Sequence, residues 1–98
     1  MKKVITWVIL GTSGGYNRAN IIKTLHNRPL NAHQLSKKLN LNYGTITHHL
    51  DVLEEMNVVE NSGKKYGKIY LLSDRMENHY DDFKKIWNQL EKEDSDGD

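Results

Sequence analysis

Two short amphipathic segments separated by only two residues constrain this chain more than any other feature. The first segment, NAHQLSKKL, begins at Asn31, and the second begins at Asn42, so that only Asn40 and Leu41 lie between them. Two helices joined this tightly, with the second one longer and polar on one side, form the outline of a helix-turn-helix. The sequence therefore predicts a helix-turn-helix over residues 31–57.

A shared start signal supports three helices. In each case an apolar residue precedes an Asn, and a second apolar residue follows four positions after that Asn. The Asn side chain can accept hydrogen bonds from the free amides of a first turn, and the apolar pair can pack across it. The signal predicts helices that begin near residues 17, 31 and 42. Gln34 supports the predicted helix start at Asn31, because its side chain can complete a capping box with that residue. Pro29 predicts that the first of the three helices ends near Asn27.

A β-hairpin is predicted over residues 58–73. The segments VVEN and KIYLLS are rich in β-branched and aromatic residues, and they flank the centre GKKYG. Tyr70 and Leu72 would face one side of the return strand and Ile69 and Leu71 the other, so at least one face must pack on the helices. The tip of the hairpin is basic through three residues: Lys64, Lys65 and Lys68.

A final helix is predicted over residues 74–90, followed by a disordered acidic tail over residues 91–98. Large apolar residues recur along this helix at spacings of 4, 3, 4 and 3, the pattern of a heptad seam: Met76, Tyr80, Phe83, Trp87 and Leu90. The seam can pack on its own domain or on a second copy of the chain. We favour a dimer interface, because the upstream helices and hairpin already supply a core.

The sequence of the first ten residues, MKKVITWVIL, is compatible with either a helix or a strand. The β-branched residues favour a strand, whereas Gly11 suits the end of a helix, and we favour a short helix. The seven-residue apolar run is too short to span a bilayer, and we expect a cytoplasmic protein without a membrane partner.

Length and composition are those of one small domain, residues 1–90. The chain has no cysteine, which excludes thiolate metal sites and thiol nucleophiles. Residues 1–73 carry ten Lys and Arg against four Asp and Glu, a net charge of +6, whereas residues 74–98 carry four against nine, a net charge of −5. A basic body with an acidic end is compatible with binding to a polyanion.

The adjacent histidines His48 and His49 raise the question of a metal or catalytic site. If Ile46 points into the core, a step of about 100° per residue places His49 about 60° from it and His48 about 160° from it. Adjacent helical residues do not readily bind one metal ion together, and no phosphate-binding loop or acid cluster accompanies them. We expect no metal, no cofactor and no enzymatic activity. The other histidines are isolated and are expected to be surface or capping residues: His26, His33 and His79.

The outward face of the second helix suits contact with DNA instead. Its first turns offer hydroxyl, methyl and imidazole groups, together with a glycine that permits close approach. The basic hairpin tip adds charges that can reach neighbouring phosphates. The predicted DNA-binding residues are Tyr43, Gly44, Thr45, Thr47, His48, Lys64, Lys65 and Lys68.

Two stretches resemble the winged helix-turn-helix transcription regulators, most closely the ArsR superfamily and its archaeal single-domain relatives: NAHQLSKKLNLNYGTITHHLDVLEEMNVVE and YGKIYLLS. The resemblance covers about residues 11–73. It implies a mainly α fold with a small β-hairpin and dimerisation through terminal helices, which fits the seam and residues 4–10. It also implies a structural role for His49 and core-closing roles for Tyr70 and Leu72. The cysteine motif by which many members sense metals is absent, so the effector stays unknown.

The leading hypothesis is a homodimeric, sequence-specific regulator of transcription that binds double-stranded DNA. The alternative is a winged-helix module that binds a protein partner without sequence-specific DNA recognition. Ten basic residues within residues 1–73 are a modest number for a DNA-binding surface, and this supports the alternative.

Overall fold

Six helices surround a three-stranded sheet in the computed structural model, which describes residues 1–11, 13–63 and 67–96. The helices are α1 (Lys2–Leu10), α2 (Gly15–Asn27), α3 (Ala32–Leu39), α4 (Tyr43–Glu55), α5 (Asp74–Asn78) and α6 (Tyr80–Asp96). The strands are β1 (Leu30–Asn31), β2 (Val59–Asn61) and β3 (Ile69–Leu72), in the spatial order β1-β3-β2. Among the described residues, no helix is long and apolar enough to cross a membrane.

Hydrogen bonds from side chains define the starts of α3 and α4. The Asn31 side chain accepts from the Gln34 amide at 2.8 Å, and the Gln34 side chain accepts from the Asn31 amide at 2.8 Å. The Asn42 side chain accepts from the Gly44 amide at 2.7 Å. Asn40, between the two helices, has a left-handed backbone with φ 54°. The helix-turn-helix is confirmed, including its capping box.

The start of α2 lies two residues earlier than the Asn17 signal indicates. Gly14 caps the helix with a left-handed backbone at φ 84°, and Gly15 is its first residue. A Cβ on Gly15 would collide with the Ile9 carbonyl of α1, so only glycine permits this approach of the two helices. The predicted helix and its end at Asn27 are confirmed, whereas the capping role of Asn17 was wrong, because α2 begins where Gly15 packs closely on α1.

The sheet confirms the hairpin and adds a strand that the sequence did not reveal. Tyr70 and Leu72 on β3 are buried, whereas Ile69 and Leu71 on the other face are partly exposed. β1 has only two residues, and Leu30 pairs with Tyr70 across an antiparallel register. Hydrophobic periodicity cannot identify so short a strand, because its only signal is a pairing partner about 40 residues away.

The C-terminal region differs from the prediction of a single helix over residues 74–90 followed by a disordered tail. It is divided at His79 into α5 and α6, and the Ser73 hydroxyl caps α5 by accepting from the Met76 amide at 3.0 Å. The final helix continues to Asp96 and so includes residues 91–96, for which we expected disorder. Charged but helix-favouring residues such as Glu91 and Lys92 extend a helix whose earlier turns are packed.

The heptad seam fills the core of its own chain. Met76, Phe83 and Trp87 are no more than 6% exposed, and Tyr80 and Leu90 pack against the same core while remaining partly exposed. The Lys23 ammonium lies 4.5 Å from the centroid of the Trp87 ring and covers one of its faces. The upstream helices and hairpin therefore do not supply the whole core, contrary to our expectation, and the three buried residues are not free to form an exposed dimer interface.

The α1 helix confirms the helical interpretation of the opening segment. Ile5, Val8 and Ile9 are buried against the domain, and α1 packs on both α2 and α6. Trp7 and Leu10 lie on its outer side and are 45% and 44% exposed. One face of the helix therefore belongs to the core, and the other presents two large apolar side chains to the surroundings.

We predict that Phe83→Ala lowers the free energy of unfolding by about 3 to 5 kcal/mol, the range for truncating a fully buried aromatic residue. The loss should be the same at low and high protein concentration, because Phe83 is buried within one chain. Chemical denaturation at two concentrations measures it, with the exposed neighbour variant Lys84→Ala as the control. A loss that appears only at concentrations where the chain associates would show that Phe83 acts between chains.

Candidate nucleic-acid interface

The orientation of α4 is fixed by the residues that it buries. Ile46, Leu50 and Leu53 have no exposed surface, and they lie along one stripe of the helix. The opposite stripe at the beginning of the helix consequently faces outward. It contains the five residues of this helix that were predicted from the sequence to bind DNA: Tyr43, Gly44, Thr45, Thr47 and His48.

These five residues form a continuous polar surface on the first two turns. Tyr43, Gly44 and His48 are exposed, whereas Thr45 and Thr47 are partly exposed. The Thr47 hydroxyl donates to the Gly44 carbonyl at 3.0 Å, which orients it while leaving its oxygen able to accept a further hydrogen bond. The surface thus combines hydrogen-bonding groups with a glycine that leaves room for another molecule.

The two adjacent histidines have different environments. His49 is only 6% exposed, and its Nδ1 accepts a hydrogen bond from Nε of the buried Arg18 at 3.2 Å. His48 is exposed, and the centroids of the two rings are 5.6 Å apart with their planes inclined by 53°. No group of three or more potential metal ligands occurs within the part of the chain that the structure describes. His49 is a buried structural residue, as the resemblance implied.

A cleft of about 250 Å³ adjoins this surface, between the starts of α3 and α4 and the return strand of the hairpin. His33 and Tyr43 form one wall, with their rings stacked at a centroid distance of 4.5 Å and an interplanar angle of 20°. The remaining lining residues are Asn31, Ala32, Gly67, Lys68 and Tyr70. His33 was not predicted to belong to this site, because no local sequence pattern shows that its ring stacks on a residue of the next helix.

The cleft offers two hydrogen-bonding groups of defined charge. Burial, and then the nearby carboxylates of Glu54 and Asp51, raise the pKa of the Tyr70 phenol, which keeps it in the neutral form that can donate a proton. Lys68 is exposed at the edge of the cleft and brings a positive charge. Lys64 and Lys65, the other predicted basic residues of the tip, lie outside the described residues.

The described elements define a class of protein. A helix-turn-helix, a second helix with an exposed polar face and a β-hairpin beside it are the parts of a winged-helix transcriptional regulator. Residues 16–61, slightly less than half of the chain, match the family described as "Bacterial regulatory protein, arsR family". Residues 16–61 are therefore similar to the ArsR family, and the fold is that of winged-helix regulators, which confirms the resemblance.

Solved structures of transcriptional regulators share the fold over most of the chain. HlyU from Vibrio vulnificus CMCP6 has a TM-score of 0.64 and 21% identity, with 92% of this chain and 85% of that chain covered. A MarR regulator from Methanosarcina mazei Go1 has a TM-score of 0.70 and 18% identity, with coverage of 90% and 66%. BldR from Sulfolobus solfataricus has a TM-score of 0.71 and 17% identity, with coverage of 94% and 67%. At these identities the likeness shows the fold. A search of the curated proteins found no match.

Proposed function

We propose that this regulator is a cytoplasmic homodimer that binds specific sequences of double-stranded DNA, without catalytic activity or a cofactor. The observation that carries the proposal is the exposed polar face of α4, which buried Ile46, Leu50 and Leu53 hold outward beside the cleft that Lys68 borders. An α-helix fits the major groove of B-form DNA, where base edges present distinct donor and acceptor patterns.

The residues of this face have complementary roles in the proposal. Thr45 and Thr47 supply hydroxyl and methyl groups for base edges and thymine methyls, and His48 supplies an imidazole that can donate or accept a hydrogen bond. Gly44 lets the helix approach the groove closely. Tyr43, whose ring is stacked on His33, supports the contact at the edge of the groove. Specificity arises from the side chains that reach base edges, and affinity arises mainly from contacts to phosphates.

We assign contacts with the DNA backbone to the hairpin. Lys64, Lys65 and Lys68 lie within five consecutive residues of the sequence, and the hairpin follows α4 directly in the chain. A phosphate at the cleft would meet the ammonium of Lys68 and the neutral phenol of Tyr70. The net charge of +6 over residues 1–73 supports the same orientation of the domain toward a polyanion.

The outer face of α1 is our proposed centre of the dimer interface. Trp7 and Leu10 border an open depression of about 720 Å³, with the remaining lining supplied by Lys2, Lys3, Thr6 and Gly11. Exposed tryptophan and leucine side chains on one face favour association, since burying them removes apolar surface from water. Tyr80 and Leu90, the partly exposed members of the C-terminal seam, are assigned to its border. A two-fold dimer would present two α4 helices to half-sites about one turn of DNA, roughly 34 Å, apart.

Selection of bound duplexes from a random-sequence pool tests whether the outward face of α4, residues 43–48, is the reading face, the surface that contacts base edges. We predict that the wild-type protein enriches an inverted repeat and that Thr47→Ala/His48→Ala loses the enrichment, at a cost of about 1 to 3 kcal/mol for each base contact removed. The control is Asn78→Ala, which changes an exposed polar residue at the end of α5. An unchanged motif with the double variant would exclude this face, and no enrichment by a folded wild-type dimer would favour a protein partner.

Salt dependence tests the role of the hairpin. We predict that Lys68→Gln weakens binding to all duplexes alike and reduces the slope of log affinity against log salt by about 0.9 for each Lys68 that contacts a phosphate. Lys84→Gln removes a charge from another exposed lysine, on α6, and should leave the slope unaltered. Equal slopes for the wild type and Lys68→Gln would show that Lys68 does not contact the backbone.

Sedimentation equilibrium tests the dimer. We predict that Trp7→Glu weakens dimerisation at least about tenfold, because it places a charge where a large aromatic residue is buried on association. Tyr16→Glu also replaces an exposed aromatic residue with glutamate, at a 55% exposed position of α2 whose ring contacts Trp87 of the same chain, and should weaken dimerisation much less. A monomeric wild type, or a dimer that is equally stable with Glu at residue 7, would overturn the assignment of this interface.

A further inference from the structure

A buried polar contact joins α4 to two other helices. Arg18 of α2 and His49 of α4 are 5% and 6% exposed. The guanidinium donates from Nε to His49 Nδ1 at 3.2 Å and from Nη1 to the Val8 carbonyl of α1 at 3.1 Å. One arginine therefore ties the last turn of α1 to the middle of the helix whose outer face we assign to DNA.

The backbone before α2 holds the same imidazole from another direction. Gly14 has a left-handed backbone at φ 84°, and a Cβ placed on it would lie 2.7 Å from His49 Cε1. The ring thus fits against a stretch of main chain where a larger residue would collide with it. His49 therefore lies between the main chain at Gly14 and the guanidinium of Arg18.

The direction of the Arg18 hydrogen bond requires one protonation state of His49. A guanidinium only donates, so Nδ1 must present its lone pair, and the proton of the neutral ring must be on Nε2. Protonated imidazole would bring a second donor against Arg18 and a second positive charge into a buried contact. Burial, the charge of Arg18 and the charge of His48 all lower the pKa of His49 below its ordinary value of 6.5.

We propose that Arg18 and His49 are positioning residues that hold α4 in its DNA-reading orientation, and that this hold requires an uncharged His49 ring. The inference rests on the proposed function, since it concerns the orientation of the same reading face. Thr47 and His48 directly precede His49 on the helix, so a displaced ring would also displace the two side chains assigned to base edges.

The sign of the pH dependence follows from the lowered pKa. The unfolded chain binds a proton at His49 more readily than the folded chain, so the stabilisation is fully present above about pH 6.5 and is lost as the pH falls through the folded value. Any change in the net charge of the protein with pH alters its attraction to all DNA alike. The informative quantity is therefore the ratio of specific to non-specific affinity.

The experiment measures this ratio between pH 7.5 and pH 5.5 with the selected duplex and a scrambled duplex. For the wild type we expect a fall of between about threefold and about tenfold, the upper limit being the change that the uptake of one proton produces over one pH unit. His49→Gln retains an acceptor for Arg18 but does not titrate, so its ratio should change less than about threefold from its own value at pH 7.5. His79→Gln removes a histidine outside the contact and should follow the wild type. Equal pH profiles for the wild type and His49→Gln would overturn the proposal.

Two further measurements need no DNA, and the first of them needs no variant. Long-range nitrogen NMR of the wild-type ring should show an unprotonated Nδ1 at pH 7.5, and a proton on that atom would contradict the proposal. Amide exchange over residues 43–55 should lose protection in acid more in the wild type than in His49→Gln. If no duplex is bound specifically at any pH, the proposed function fails. In that case the amide-exchange comparison alone decides whether Arg18 and His49 position α4.

Discussion

The burial of Ile46, Leu50 and Leu53 along one stripe of α4 is the constraint on which the rest of the structure depends. These residues have no exposed surface, and they fix the rotation of the helix about its own axis. A rotation by one residue, about 100°, would bury polar side chains and expose apolar ones. The same packing therefore supplies the stability of the domain and decides which side chains face outward.

The other elements determine the position of α4 and of the residues that lie beside it. The capping box of α3 and the left-handed Asn40 set the angle between the two helices of the helix-turn-helix. β3 closes the core with Tyr70 and Leu72 and places Lys68 beside the start of α4. Arg18 connects α4 to α1, the helix to which we assign the dimer interface. The surfaces to which we assign base contacts, phosphate contacts and dimerisation thus belong to one packed unit.

The sequence predicted those features that depend on local chemistry. Asn31 with Gln34 predicts a capping box, because its donors and acceptors are three residues apart, and the alternation at residues 69–72 predicts the two faces of β3. Features that depend on contacts between distant segments could not be predicted in this way. β1 exists through its pairing with β3, and α2 begins where Gly15 meets α1. The heptad seam was assigned to a partner because spacing reveals which residues share a face and not what covers that face.

The outward face of α4 could be predicted from the sequence, whereas its surroundings could not. A helical projection from Ile46 separates His48 from His49, and the structure places the first outside and the second inside. The stack of His33 on Tyr43 and the contact of Arg18 with His49 join residues of different helices, and neither leaves a pattern in the sequence.

The most direct test of the central assignment is a map of backbone amide chemical-shift changes when the protein is titrated with the selected duplex. The account predicts that the largest changes lie at residues 43–48 and Lys68, with the buried side of α4 and the centre of α6 little affected. Changes concentrated on α6 or on the outer face of α1, with α4 unaffected, would contradict it.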